Sequence, residues 1–249
     1  MPQGKKPVLF ILFVFLTLLF RPVSVPTQEV LRGEVLIDLE PIYAIAGGTP
    51  YPRPIDANTA RMRALEEAVL FFSAMIYGWS FHYEIGEKAR GLTENLELED
   101  LGTIKFGDPA FSATDLFSRD GKFSMWADYR LSDTQRRRAG TWRSGSVRNL
   151  QALGYSPLFE SGKGPEAGEG AGTAEVTVDW IGIKRATLED AAKSGLKALF
   201  RGTERNRPRE ARGYIALAEF PRFFISHGQW AVSARFRLEV REIIPFAVY

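Results

Sequence analysis

The feature that most constrains this chain is a strict alternation near its C-terminus. Between Trp230 and Val240, Trp230, Val232, Ala234, Phe236, Leu238 and Val240 fall on every second position. Ser233, Arg235, Arg237 and Glu239 lie between them, and Arg241 follows. Side chains of a strand change face at every residue, so this stretch has one apolar and one charged face. Such a strand must join a sheet whose apolar face is buried against another layer. At 249 residues, 45% hydrophobic and 25% charged, the chain can supply that layer.

Other segments carry equally local signatures. Glu34 to Ile42 reads as a strand, and Ala46 to Ile55, rich in glycine and proline, as a loop. Asp56 is placed to cap a helix running to Ile76. Its apolar positions, from Ala57 and Ala60 through Ala64, Ala68, Phe72 and Ile76, are spaced by three and four, and the small residues of its first turns permit close packing on a sheet. Trp79 to Ile85 and Phe123 to Leu131 alternate as strands. Ser132 to Gly172 is the least ordered part by composition, ending in a glycine-rich flexible surface loop at 161–172. Glu175 to Ile183 reads as a strand, and Thr187, with Asp190 three residues on, as the capping box of a second helix stopped by Gly202. A charged loop from Arg201 to Arg212 leads to a strand from Tyr214 to Phe220. Pro221 should kink or end pairing there and favours an edge or bulge, and His227-Gly228 makes a turn.

These elements repeat in order. Glu34–Ile42 (E-V-L-I-D-L-E-P-I) matches Glu175–Ile183 (E-V-T-V-D-W-I-G-I), and L-E-E-A at Leu65 matches L-E-D-A at Leu188. The closing strands share A-x-[YF]-R-L, ending at Leu131 and Leu238. The offsets are 141, 123 and 107 residues, so the second copy has shorter connections. The expected fold is α+β: two tandem β-α-β-β units, with antiparallel sheet covered by amphipathic helices. The units are assigned to residues 28–160 and 173–249.

The N-terminus supplies an address. Lys5 and Lys6 precede 13 residues, Val8 to Phe20, that are apolar except for Thr17. A bilayer span takes roughly 20 residues, so this run suits a signal-peptide core. Arg21, Pro22 and Pro26 close it, and Ser24 and Thr27 are the candidate last residues removed. Residues 1–27 are therefore read as a signal peptide, with an uncleaved inner-membrane anchor as the alternative. The protein is expected in the periplasm or outside the cell. There is no cysteine. That excludes a lipobox, disulfides, thiolate metal sites and a cysteine nucleophile, and a disulfide-free exported chain suits a bacterial periplasm. Removing the leader takes Lys5, Lys6 and Arg21 and leaves 29 basic and 30 acidic residues, so the net charge of +2 is no argument for nucleic acid.

The run A-x-x-A-x-x-R-A-L-E-E-A from Ala57 to Ala68, followed by a hairpin, resembles envelope modules found at the N-terminus of flagellar assembly protein T and in small bacterial outer-membrane lipoproteins. The likeness covers one helix and its flanking strands, about a quarter of the chain, and the chain lacks the lipid-anchoring cysteine. It implies a structural role in the envelope or a surface appendage and carries over no catalytic residue.

Local cues for chemistry are sparse. His82 and His227 are the two histidines; no H-x-x-x-H or H-E-x-x-H occurs, and both read as ordinary surface or turn residues. Glu94, Glu97, Glu99 and Asp100 lack the spacing of a calcium loop and read as a solvated face. Gly162-Lys163-Gly164 is out of register for a P-loop, and no G-x-S-x-G is present. No catalytic residue, metal or cofactor is assigned. The remaining cluster is basic: Arg130, Arg136, Arg137, Arg138, Arg143 and Arg148 surround Trp142. Arginine forks suit phosphate and carboxylate, and an indole suits a sugar or a membrane interface, so this segment is the candidate contact for an anionic glycan, a membrane surface or an envelope protein. A solvated arginine-rich loop is the competing reading. The chain thus reads as an exported bacterial envelope protein, a non-catalytic structural or binding module. The alternative is a glycan-directed hydrolase with dispersed carboxylates.

Overall fold

The computed structural model describes residues 29–39, 55–87, 91–156, 180–203, 208–227 and 229–246. Its central element is helix α1 (Ala57–Ile76), which starts where the sequence places it: the Asp56 carboxylate accepts from the Thr59 amide at 2.7 Å. Ala60, Ala64, Ala68, Phe72 and Ile76, four residues apart, are fully buried on one stripe. That stripe packs on a three-stranded antiparallel sheet of β1 (Val30–Asp38), β4 (Phe111–Arg119) and β5 (Lys122–Arg130), in the order β1-β5-β4. Phe71 and Ala74, on an adjacent stripe, belong to a second core. One helix therefore serves two hydrophobic cores. It ends at Tyr77, and Gly78 adopts φ +69°, a conformation glycine takes without strain, to turn the chain into β2.

The second core lies on a six-stranded sheet formed by β2 (Trp79–Glu84), β3 (Asn95–Asp100), β6 (Arg148–Tyr155), β7 (Pro208–Leu217), β8 (Arg222–Ser226) and β9 (Gln229–Pro245). The strand order is β3-β2-β7-β9-β6, every pair is antiparallel, and β8 also pairs with β9. The long alternating strand is β9. Its Val232, Ala234, Phe236 and Leu238 are at most 1% exposed, as their alternation requires. Helix α3 (Trp180–Thr203) covers this face with Leu188, Ala191, Ala192, Leu196 and Phe200. β6 approaches it so closely that a Cβ on Gly154 would lie 2.2 Å from the Ala191 amide nitrogen.

Three expectations are corrected. Arg148–Tyr155 is a strand, and Asp133–Thr141 is a helix (α2) opened by a Ser132–Gln135 capping box, so the segment read as unordered carries two elements. Residues 180–183, read as the end of a strand, form the first turn of α3. Thr187 is internal to that helix and donates to the Ile183 carbonyl at 2.7 Å, while Asp190 accepts from the Tyr155 amide at 2.9 Å. The helical stripe runs upstream through Lys184, and a buried lysine reads as a polar break in a pattern of apolar positions. Finally, β1 ends at Asp38 and β7 already begins at Pro208, inside the segment read as a charged loop. The glycine-rich stretch 161–172, residues 175–179 and residues 1–27, read as a signal peptide, lie outside the described residues.

The pairing pattern itself repeats, with a different opening strand. β5 is flanked by β1 and by its hairpin partner β4; β9 is flanked by β6 and by its hairpin partner β8. Leu31 and Gly33 face Tyr129 and Ala127, while Leu150 and Ala152 face Phe236 and Ala234. Tyr129 and Phe236, like Ala127 and Ala234, are separated by the 107 residues that relate the two A-x-[YF]-R-L blocks. β6, placed by the sequence reading in the first unit, thus holds the position in the second sheet that β1 holds in the first. β2 and β3 also join the second sheet, so the two sheets do not divide at residue 160.

Two buried contacts are prominent among those that tie the halves together. Phe220, between β7 and β8, packs into both cores, with ring centroids 4.9 Å from Phe72 and 5.3 Å from Phe71. It sits over β1 where Gly33 has no side chain; a Cβ there would lie 2.4 Å from the ring. The second contact is ionic. Lys184 of α3 and Glu67 of α1, 2% and 4% exposed, approach to 3.6 Å. The Lys184 ammonium also lies 4.0 Å from the ring centroids of both Phe223 and Trp230.

Gly33→Ala should lower stability by about 1–3 kcal/mol through overpacking. Adding Phe220→Leu should make that alanine less costly, and urea unfolding of the four-member cycle measures the coupling. Lys184→Met, which leaves a buried carboxylate unpaired, should cost about 3–5 kcal/mol, whereas Glu67→Met with Lys184→Met should recover most of the loss. Equal losses for the single and double variants, read from the same unfolding curves, would contradict the pairing.

Candidate functional site

α1 and α3 meet side by side, and their junction has two different faces. On the side toward β3 they leave a cleft of about 570 Å3. Val69, Leu70 and Ala74 of α1, Trp79 of β2, Ile104 and Ile181 of α3 give it apolar walls. Glu66, Asp100 and Arg185 supply charge, and Phe106 stands 55% exposed at the margin. Such a volume with mostly apolar walls and a few polar groups is characteristic of small-ligand sites. Ser73 holds the wall formed by residues 102–106: its hydroxyl donates to the Val69 carbonyl at 2.6 Å and accepts from the Ile104 amide at 2.9 Å.

Arg185 closes one end of the cleft. Its Nη1 donates to Asp100 at 2.9 Å and its Nε to Glu189 at 3.2 Å. Burial alone would favour the neutral guanidine, but the two carboxylates outweigh it and hold the group even more firmly protonated than usual. Asp100 is thereby tied up as an ion-pair partner.

The opposite face of the junction is the Glu67–Lys184 pair. Burial pushes the Glu67 carboxyl up, with Lys184 acting against the shift; burial pushes the Lys184 ammonium down, with Glu67 and Asp38 acting against it. Arg63 lies over Trp180 at 4.6 Å, and Trp180 meets Trp230 edge to face. Perturbed groups of this kind often mark active sites, yet neither member of the pair lines the cleft. A general acid must reach its substrate, and a carboxyl 4% exposed and sealed behind two helices does not. The arrangement can enclose and orient a ligand, and it does not present the raised carboxyl to it.

The arginine cluster is dispersed. Trp142 is 3% exposed and its indole N–H donates to the Ile76 carbonyl at 3.0 Å, so the residue expected to contact sugar or membrane instead caps the end of α1. Arg138 donates to the Tyr77 carbonyl at 2.9 Å and lies over the Trp142 ring at 5.1 Å. Arg143 is bound to Glu29 at 2.6 Å, and Arg136 to Asp133 at 3.4 Å. Arg130, Arg137 and Arg148 are exposed. The signal for this inward role was present in the capping box and in the four-residue spacing of Arg138 and Trp142, which places them on one helical face.

The acidic run also splits. Glu94 accepts from the Tyr83 hydroxyl at 2.5 Å and from Lys197 at 2.6 Å, which holds it below the usual carboxylate range despite burial. It anchors the strand β3 to α3 and is no part of a solvated face. Glu97 and Glu99 do project outward from β3. His227 occupies a turn at φ 51°, its Nδ1 3.0 Å from the Ser226 hydroxyl. The cleft residues escaped sequence reading because they come from three separate stretches, 66–79, 100–106 and 181–185, and no local spacing connects Glu66 to Asp100 or Arg185.

No solved structure matches the chain. An uncharacterized protein of Treponema pallidum (strain Nichols) is 25% identical over 230 residues, covering 91% of this chain and 88% of that protein. An uncharacterised protein family matches residues 20–168 and 163–246, and the chain belongs to that family.

Proposed function

We propose that this chain is a non-catalytic binding module of the bacterial cell envelope, with the α1–α3 cleft as its ligand seat. The observation that carries the binding part is the separation of chemistry across the junction. The cleft combines apolar walls with an Asp100–Arg185 pair already satisfied within the protein, while the carboxyl that burial perturbs, Glu67, does not line it. That arrangement favours holding a ligand over hydrolysing one.

The envelope part rests on the sequence: the Lys5-Lys6 start, the apolar run to Phe20, the absence of cysteine and the likeness of Ala57–Ala68 to envelope modules of flagellar assembly protein T. A bacterial relative matched over 91% of this chain is consistent with it. Among the described residues no helix is long and apolar enough to cross a membrane. Arg130, Arg137 and Arg148 remain the outward cations for a membrane surface or anionic glycan; Arg136, Arg138 and Arg143 are engaged internally.

A photoreactive benzophenone residue in place of Phe106, introduced in the native bacterium, tests both parts. Irradiation should give adducts recovered with the envelope fraction, and the same residue in place of Arg119, on the β4–β5 hairpin away from the cleft, should give none. Equal labelling at the two positions would remove the cleft as a ligand seat, and recovery of the chain in the cytosolic fraction would remove the envelope assignment.

A further inference from the structure

We propose that His82, Glu84 and Glu210 form a binding site for a borderline divalent cation, zinc fitting best, on the face of the six-stranded sheet turned away from α3. The site is independent of the cleft and of its proposed role. On β2, Trp79, Phe81 and Tyr83 are buried against the helices, so His82 and Glu84 project together from the other face. Glu210, on neighbouring β7, stands directly opposite Glu84 in the ladder. One donor atom from each of the three lies within 4.8 Å of the others.

Ligand atoms around a metal with bonds of about 2.1 Å sit about 3.4 Å apart, so closure requires side-chain rotation of about 1 Å and no backbone movement. The His82 Nε2 is already 3.3 Å from Glu210. Its other nitrogen, Nδ1, faces Glu97 of β3 at 3.8 Å. A histidine with one nitrogen directed at the donor cluster and the other at a carboxylate has the orientation that metal-binding histidines adopt, because the outer carboxylate fixes the tautomer and raises the basicity of the inner nitrogen. One imidazole with two carboxylates suits zinc better than calcium or magnesium, which prefer all-oxygen shells.

The charge pattern points the same way. Glu84 and Glu210 are like charges placed directly opposite on adjacent strands, a destabilising pair, and Glu210 is only 7% exposed. Arg209 and Arg212 contact Glu210 at 3.1 and 3.4 Å and offset part of this repulsion. Both are at least half exposed, at 60% and 50%, and Arg212 has a second partner in Glu242 at 3.8 Å. Arg212 can therefore leave the inner oxygen to a cation at little cost, with Arg209 remaining on the outer one. The absence of any H-x-x-x-H motif is irrelevant to such a site, since its donors come from adjacent strands 128 residues apart.

Calorimetric titration of the purified chain with zinc chloride tests this. One saturable equivalent is expected, weakened at least tenfold by His82→Asn and by Glu84→Gln, and about tenfold by Glu97→Gln through loss of the outer carboxylate. Glu99→Gln, on the same strand but opposite Ser80, should leave binding unchanged. The partly exposed Glu84→Gln position keeps the test valid should His82→Asn disturb the sheet. No saturable zinc uptake, uptake indifferent to His82 and Glu84, or equally tight uptake of calcium would overturn the proposal and leave an ordinary cross-strand ion-pair network.

Discussion

The structure depends on α1 being buried along two stripes at once. A helix that covers a single sheet needs one apolar stripe and can leave the rest of its circumference in water. Here Ala60, Ala64, Ala68 and Phe72 face the β1-β5-β4 sheet, while Phe71 and Ala74 face the six-stranded sheet. The alanines bring the helix backbone close to the first sheet, and the phenylalanines reach Phe220, between β7 and β8, and Phe223 of β8. With so much of the helix surface enclosed, the charged Glu67 is enclosed too, and Lys184 is what makes that position tolerable.

From that constraint the geometry of the junction follows. α3 can lie beside α1 only by placing its first turns against it, which buries Lys184 on one side and brings Ile181 and Arg185 to the other. The ion pair and the cleft are thus two sides of a single helix contact. C-terminal to α1, the same concern for satisfying buried polar groups explains α2: Trp142 and Arg138 donate to the carbonyls of Ile76 and Tyr77, which the end of a helix leaves without partners.

Much of the fold was legible because α1, β2, β5 and β9 announce themselves by period and by caps. Asp56 and the four-residue alanine spacing placed α1, and the alternation from Trp230 placed β9 on its buried face. The α+β class and the antiparallel sheets follow from the same patterns. What misled were residues whose chemistry contradicts their burial. Lys184 interrupts the stripe of α3 and makes its first turn resemble the end of a strand; Trp142 among arginines looks like a surface aromatic until the α1 terminus it caps is in place. The repeat is legible in the closing strands and the helices, but its second opening strand is β6, whose inward Leu150, Ala152 and Gly154 alternate with the exposed apolar Leu153 and Tyr155, so no polar face marks it out. The cleft and the His82 cluster were not legible, because the cleft is assembled from helices and strands far apart in the chain and the His82 cluster is completed by Glu210, on a strand 128 residues from His82.

If α1 is the shared wall of both sheets, neither sheet can open without uncovering the other. Native-state hydrogen exchange measures this directly on the central strands, Met125 to Tyr129 of β5 and Val232 to Leu238 of β9. The amides of both strands should exchange through one cooperative opening with the same free energy and the same denaturant dependence as α1. Protection in β9 that persists after β5 and α1 have opened would show two independent cores and contradict the shared-helix architecture.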